Sequence, residues 1–248
     1  MTDSYIWDAT PAAFATHAAS RDDAASILEQ LADSSVEILV GELEDLGENQ
    51  VPTRETTIEI LERRFRVFGS DTRSTEDFIQ QGRHGGPVAA IFEEDQITDL
   101  QSRPNLPQLL QVALERLASD ERPYLLLVES EEADSASHAA DFDRLLRGME
   151  AIEATLELVL DFADWNQETL VVFTSDHETG GLALSAGGST NSSMRALWST
   201  PDHSGVVVPV LAAGPGSELF DGSHSTWEIG RLLGEMMVKP TAAPTTEP

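Results

Sequence analysis

Three uninterrupted apolar stretches constrain this chain more than any other feature. They are "RPYLLLVE" (122–129), "ETLVVFTSDH" (168–177) and "GVVVPVLAAGPG" (205–216), and each is flanked by segments of different periodicity. A strand that is apolar on both faces must be covered on both, so such strands belong to a sheet held between helices. The intervening segments supply the helices. "PAAFATHAA" (11–19), "DDAASILEQLADS" (22–34), "PTRETTIEILERRFRVF" (52–68) and "PNLPQLLQVALERLASD" (104–120) read as helical. "FDRLLRGMEAIEATLELVLDFADWN" (142–166) and "STWEIGRLLGEMMV" (225–238) complete the set. Shorter apolar runs at 36–41 and 86–95 read as strands, and the Gly/Ser/Asp/Arg-rich residues 69–86 as a loop. The predicted fold is an α/β/α sandwich with a central, largely parallel sheet. It forms one domain over residues 1–238, without internal repeats, followed by a low-complexity, disordered tail at 239–248.

Charge narrows the function classes. The chain has 44 acidic against 15 basic residues, a formal net charge of −29, and Lys239 is its single lysine. Such a field repels nucleic acid and anionic membranes. Carboxylates spread along the whole chain suit the surface of a protein from a salt-loaded environment; an acidic protein of a GC-rich genome is the other reading. No cysteine is present, which excludes disulfides and thiolate metal sites. No apolar run is long enough to span a bilayer, and the first residues lack the basic and apolar regions of an export signal.

In open α/β sheets, ligands bind beyond the carboxyl ends of the strands. Glu129 ends one apolar run, Asp176 and His177 end another, and His203 stands just before the third. Asp134 and His138 follow Glu129 at a spacing of four, which puts both on one face of a helical turn. Imidazoles with carboxylates and no sulfur suit zinc in a hydrolytic site; all-oxygen positions such as Asp8 and Glu129 suit magnesium. Each feature alone has a plain reading as solvated surface, a capped turn or a surface ion pair. Their coincidence at the strand ends favours a metal site.

Four blocks, in order along the chain, resemble the alkaline phosphatase family of metal-dependent phosphomonoesterases. They are "DATPAAFATHAASR", "LVESEEADSASHAAD", "TLVVFTSDHETGGLAL" and "DHSGVVVPVLAAGPGSELFDG". The resemblance implies phosphate monoester hydrolysis with two zinc ions and one magnesium ion. Asp134, His138 and His203 would hold the first zinc, and Asp176 and His177 the second. Asp8, Thr10 and Glu129 would bind magnesium, and Arg21 would grip two phosphate oxygens. It also implies that a homodimer is possible, and a periplasmic or extracellular location, although the chain itself carries no signal.

The family pattern further has a nucleophilic serine in an Asp-Ser-Ala turn, and a metal-binding aspartate, upstream of the "ATPAA" block. Only seven residues precede Asp8 here, and Asp3-Ser4 lacks the Ala-Ala that should follow. The expectation is therefore a sheet incomplete at its N-terminus, an apolar surface left open, and no catalytic serine in the chain. A truncated gene and a misplaced start codon both account for it. The other readings are a non-catalytic metal- or phosphate-binding remnant and a sister diesterase or sulfatase activity. "VGELEDLGE" (40–48) also stands where the family has a glycine-rich turn.

Self-repulsion at −29 should respond to screening. The melting temperature is expected to rise between about 0.1 M and about 1 M potassium chloride, as the screening length falls from about 10 Å to about 3 Å. Scanning calorimetry at both concentrations checks this.

Overall fold

The computed structural model describes residues 1–43, 52–69, 73–186 and 194–238. They gather into two compact units. The first comprises Met1–Glu121, Leu126–Ala136 and Asp141–Thr155; the second comprises Arg122–Leu125, Ser137–Ala140 and Leu156–Pro248. The tail at 239–248 and most of the "VGELEDLGE" turn lie outside the described residues.

The first unit is built on a parallel sheet. β1 (Ile38–Leu43), β2 (Arg66–Phe68) and β3 (Val88–Glu93) lie in the order β1-β3-β2. Ile38 and Arg66 both pair with Val88, so all three strands start at one rim. All six residues of β1 are buried, as two-sided covering requires. Residues 1–5 extend the sheet in parallel. Tyr5 bridges to Glu42 and Thr2 to Glu129, with Thr2 N–H donating to the Val40 carbonyl (3.0 Å) and Glu129 N–H to the Met1 carbonyl (2.9 Å). Small and polar residues hide this segment from a pattern search.

Helices cover the sheet. α1 (Ala9–Ala15) is capped by Asp8, whose carboxylate accepts from Ala9 N–H, and α2 (Ala24–Asp33) by Asp23, which accepts from Ser26 N–H. Ile27, Leu28 and Leu31 of α2 are buried in a core with Leu39, Leu61, Val67 and Ile91. Two expectations change here. The helix read over 52–68 stops at Leu61 as α3 (Arg54–Leu61), and its last residues become β2. Val67 and Phe68 gain buried sheet positions that a surface helix would not offer. The loop read over 69–86 contains α4 (Thr75–Gln81), begun by a reciprocal Ser74/Asp77 capping box. α5 (Leu106–Ala118) starts in the same way from Asn105 and Gln108.

α6 (Glu132–His138) and α7 (Phe142–Trp165) begin in the first unit and end in the second. The run at 122–129 is half-buried to exposed rather than fully buried, and its bridge is the one at Glu129. In the second unit β4 (Val171–Thr174) pairs antiparallel with β9 (Val210–Ala213). The sheet character is thus parallel in the first unit and antiparallel in this pair. β5 (Glu178–Thr179) pairs with β8 (His203–Ser204), and β6 (Ala183–Ala186) with β7 (Met194–Leu197), both antiparallel. α8 (Thr226–Val238) closes the described chain with no buried residue. Val207 is 92% exposed, and Leu211, Trp165 and Trp227 are exposed too.

Leu61 joins α3 to the first unit's core with no exposure. Leu61→Ala is expected to lower unfolding free energy by about 2–5 kcal/mol, the cost of a core cavity. Urea denaturation followed by tryptophan fluorescence measures it.

Candidate metal centre

The second unit positions its histidines through a tight backbone return. Gly180 (φ 88°) and Gly181 (φ 57°) turn the chain after β5, and a Cβ on Gly180 would lie 2.5 Å from the Trp198 ring. Gly180 N–H donates to the Asp202 carbonyl at 3.1 Å, and Thr179 stands opposite His203 in the β5–β8 pair. This register stacks the His177 and His203 rings with centroids 3.5 Å apart and planes 22° from parallel. The Asp176 carboxylate reaches His177 Nε2 at 3.1 Å.

His138 completes the group. Its Nδ1 lies 2.6 Å from the Pro201 carbonyl, which can only accept, so Nδ1 carries the proton. Nε2 then presents its lone pair, 3.1 Å from His203 Nε2. A carbonyl behind one ring nitrogen, with the other turned toward the neighbouring ligand atoms, is how metal-binding imidazoles are commonly oriented. Asp134 stands one turn earlier on α6, and the ligand atoms of Asp134, His138 and His203 all lie within 4.8 Å of one another. Two imidazoles and a carboxylate with open access fit a zinc ion that keeps a position for water or substrate.

The oxygen-rich residues belong to the first unit. Asp8 Oδ1 accepts from Ala9 N–H and is ion-paired with Arg21, while Oδ2 accepts from Ser4 Oγ at 3.0 Å. Thr10 sits in the first turn of α1. Glu129 Oε2 accepts from Thr2 Oγ1 at 2.7 Å. The short strand at 1–5 therefore presents one hydroxyl to each of these carboxylates. Arg21, expected to grip phosphate, is ion-paired with Asp8. A cavity of about 300 Å³ opens beside it, lined by Ala9, Thr16, His17 and Ser20 among others.

Sequence reasoning passed over three buried carboxyls in this unit. Asp3 accepts from Ser130 Oγ (2.8 Å) and Glu131 N–H (2.6 Å), yet burial outweighs these bonds and pushes it up to about 6. Burial likewise pushes Glu131 up to about 7 against the Ser135 hydroxyl, with the charges of Asp3, Asp134 and Asp8 adding to the rise. Glu42, 2% exposed, accepts from Ile97 and Asp95 N–H, and burial pushes it up to about 7. Glu42 carried a legible signal, an acid inside an otherwise apolar strand. Asp3 had none, because its setting depends on residues 130 and 131.

Known proteins resemble this chain. A family model described as alkaline phosphatase matches residues 88–197. Alkaline phosphatase 3 of Bacillus subtilis (strain 168) is 28% identical over 213 residues, covering 80% of this chain and 44% of that protein. A histidine-to-aspartate mutant of the alkaline phosphatase from the Antarctic bacterium TAB5, with magnesium bound in its M3 site, is similar in structure. It has a TM-score of 0.73 at 25% identity, covering 88% of this chain and 65% of that one. The cold-active alkaline phosphatase of a Shewanella species shares the fold, with a TM-score of 0.80 at 20% identity over 96% of this chain and 74% of that one. The chain spans less than half the length of the Bacillus relatives it matches.

The raised carboxyls set a sign for pH dependence. The folded state binds protons at Glu42 more tightly than the unfolded chain, whose value is 4.5. The stability that Glu42 contributes is therefore fullest below about 4.5 and is lost as pH rises through about 7. Glu42→Gln is expected to flatten the fall in melting temperature between those values, as read by thermal unfolding at a series of pH values.

Proposed function

We propose, from its likeness to alkaline phosphatases, that the chain belongs to that family and holds the metals and substrate of a phosphate monoester hydrolase. The observation that carries this reading is the convergence of Asp134, His138 and His203, with the His138 lone pair set by its bond to Pro201. These three residues would hold one zinc ion, and Asp176 and His177 a second. Asp8, Thr10 and Glu129 would hold magnesium.

Bound ions of this kind supply Lewis acidity toward phosphoryl oxygens and a water of lowered pKa. The protein's own residues do the positioning. Pro201 and the β5–β8 pair orient the imidazoles. The Ser4 and Thr2 hydroxyls hold Asp8 and Glu129. A cation taken up by Asp8 would compete with Arg21 for the same carboxylate, freeing a planar two-donor fork for two phosphate oxygens. We assign the nucleophile's part to no residue of this chain. Ser4 is 6% exposed and spends its hydroxyl on Asp8, an observation that favours a second reading, metal and phosphate binding without turnover.

Zinc titration and hydrolysis of an aryl phosphate separate the two. The chain is expected to bind zinc, and His203→Ala and Asp134→Asn to weaken that binding by at least ~10-fold. Zinc-dependent turnover lost in both variants supports the hydrolase. Zinc binding with no turnover supports the binding protein, and absence of zinc binding overturns both.

A further inference from the structure

The first unit carries a second polar concavity at the rim opposite its functional residues. Asp8 follows the strand at 1–5, beyond the carboxyl end of the sheet. The start of β2 lies at the amino end, where Arg66 and Ile38 both pair with Val88. A groove of about 400 Å³ opens at that amino end, lined by Glu62, Arg64, Phe65, Arg66, Arg73 and the turn at 86–87. Its volume lies within the ~300–1,000 Å³ range of small-ligand sites. Three of the chain's 15 cationic residues converge there, although acidic residues outnumber basic ones about threefold.

The guanidinium groups are held in place by neutral partners. Arg64 Nη2 donates to the Val36 carbonyl at 3.2 Å, and Arg66 Nη2 donates to the carbonyls of Gln81 (2.6 Å) and His84 (2.7 Å). Each also lies over an aromatic ring, Arg64 over Phe65 at 5.7 Å and Arg66 over Phe68 at 5.1 Å. Arg21, Arg54, Arg63, Arg83, Arg144 and Arg231 are all paired with carboxylates. Among the described residues, Arg64 and Arg66 have no such ion pair, and the Nε–H of each is buried without an acceptor.. Behind them Arg116 donates to the carbonyls of Gly82, Gly85 and Gly86, adding a further positive charge. Among the described residues, Glu62 is the one carboxylate in the lining, and it offsets part of this charge.

Arg64 and Arg66, held by carbonyls and, among the described residues, in no ion pair, give this concave site an excess of positive charge on a strongly acidic protein, and that excess calls for an anionic partner. Both Nη2 hydrogens of Arg66 are spent on carbonyls and its Nε–H is buried, so an oxyanion in the groove would meet its Nη1 as a fixed positive charge. We propose that this groove binds a small phosphate-class oxyanion, at a site separate from the candidate metal centre. The carbonyl contacts fix Arg64 and Arg66 in advance, and Arg73, which also lines the groove, supplies a third charge.

The test uses the 248-residue chain carrying Arg21→Ala and treated with chelator, so that metal-held phosphate makes no contribution. Inorganic phosphate at low ionic strength is titrated by calorimetry. Saturable binding is expected, weakened at least tenfold by Arg73→Gln and by Arg64→Gln with Arg73→Gln. Nitrogen-15 NMR of the chain without groove substitutions provides a readout that does not depend on how the variants fold. Phosphate should shift the Nε–H signals of Arg64 and Arg66. Absence of saturable binding, binding unchanged in the groove variants, or unshifted Arg64 and Arg66 signals would overturn the proposal. Because the metals are removed, these outcomes are independent of the hydrolase reading.

Discussion

Five residues hold the first unit's functional edge together. The parallel bridges of Tyr5 to Glu42 and Thr2 to Glu129 tie β1 to the segment that leads into α6. Backbone bonds of this kind place neighbouring strands about 4.8 Å apart and fix which side chains face each other. From that register follow the Thr2 hydroxyl on Glu129, the Ser4 hydroxyl on Asp8 and the two hydrogen bonds that hold Asp3. Asp8 then starts α1 as its cap, so one carboxylate serves both the helix terminus and the polar cluster.

The second unit depends on a different device. Two glycines of positive φ return the chain so that β5 and β8 pair over only two residues each. So short a ladder contributes little stability by itself. Its consequence is geometric, because it stacks His203 on His177 and brings it to His138. The units also differ in their electrostatics. Buried carboxyls with raised pKa crowd the first, whereas the histidines of the second are largely open to solvent.

The strands and helices with strong periodicity were legible in the sequence, α7 almost to the residue. The spacing of Asp134 and His138 was legible too, because a helical turn converts a separation of four into adjacency. Residues 1–5 were not, since a short strand of mixed polar residues has no pattern of its own and exists through its neighbours' backbone groups. β2 was absorbed into a helix for a related reason. Arg-Val-Phe continues the spacing of the preceding residues, and only the edge of β3 makes it a strand. α4 had a local signal, Ser74 with Asp77, masked by the glycines and arginines around it.

The sequence by itself determined the α/β class, the acidic surface, the absence of sulfur ligands and the residues that resemble a phosphatase's metal shell. These are properties of composition, periodicity and motif, which need no partner from elsewhere in the chain. Tertiary structure alone decided that His203 joins His138, that Arg21 rests on Asp8, that Asp3 and Glu42 are buried, and that Arg64 and Arg66 share a groove. The first three depend on residues 13 to 128 positions apart meeting through strand register and helix packing, and the groove on residues 62–66 meeting the turn at 86–87. Such separations leave no periodic trace along the chain.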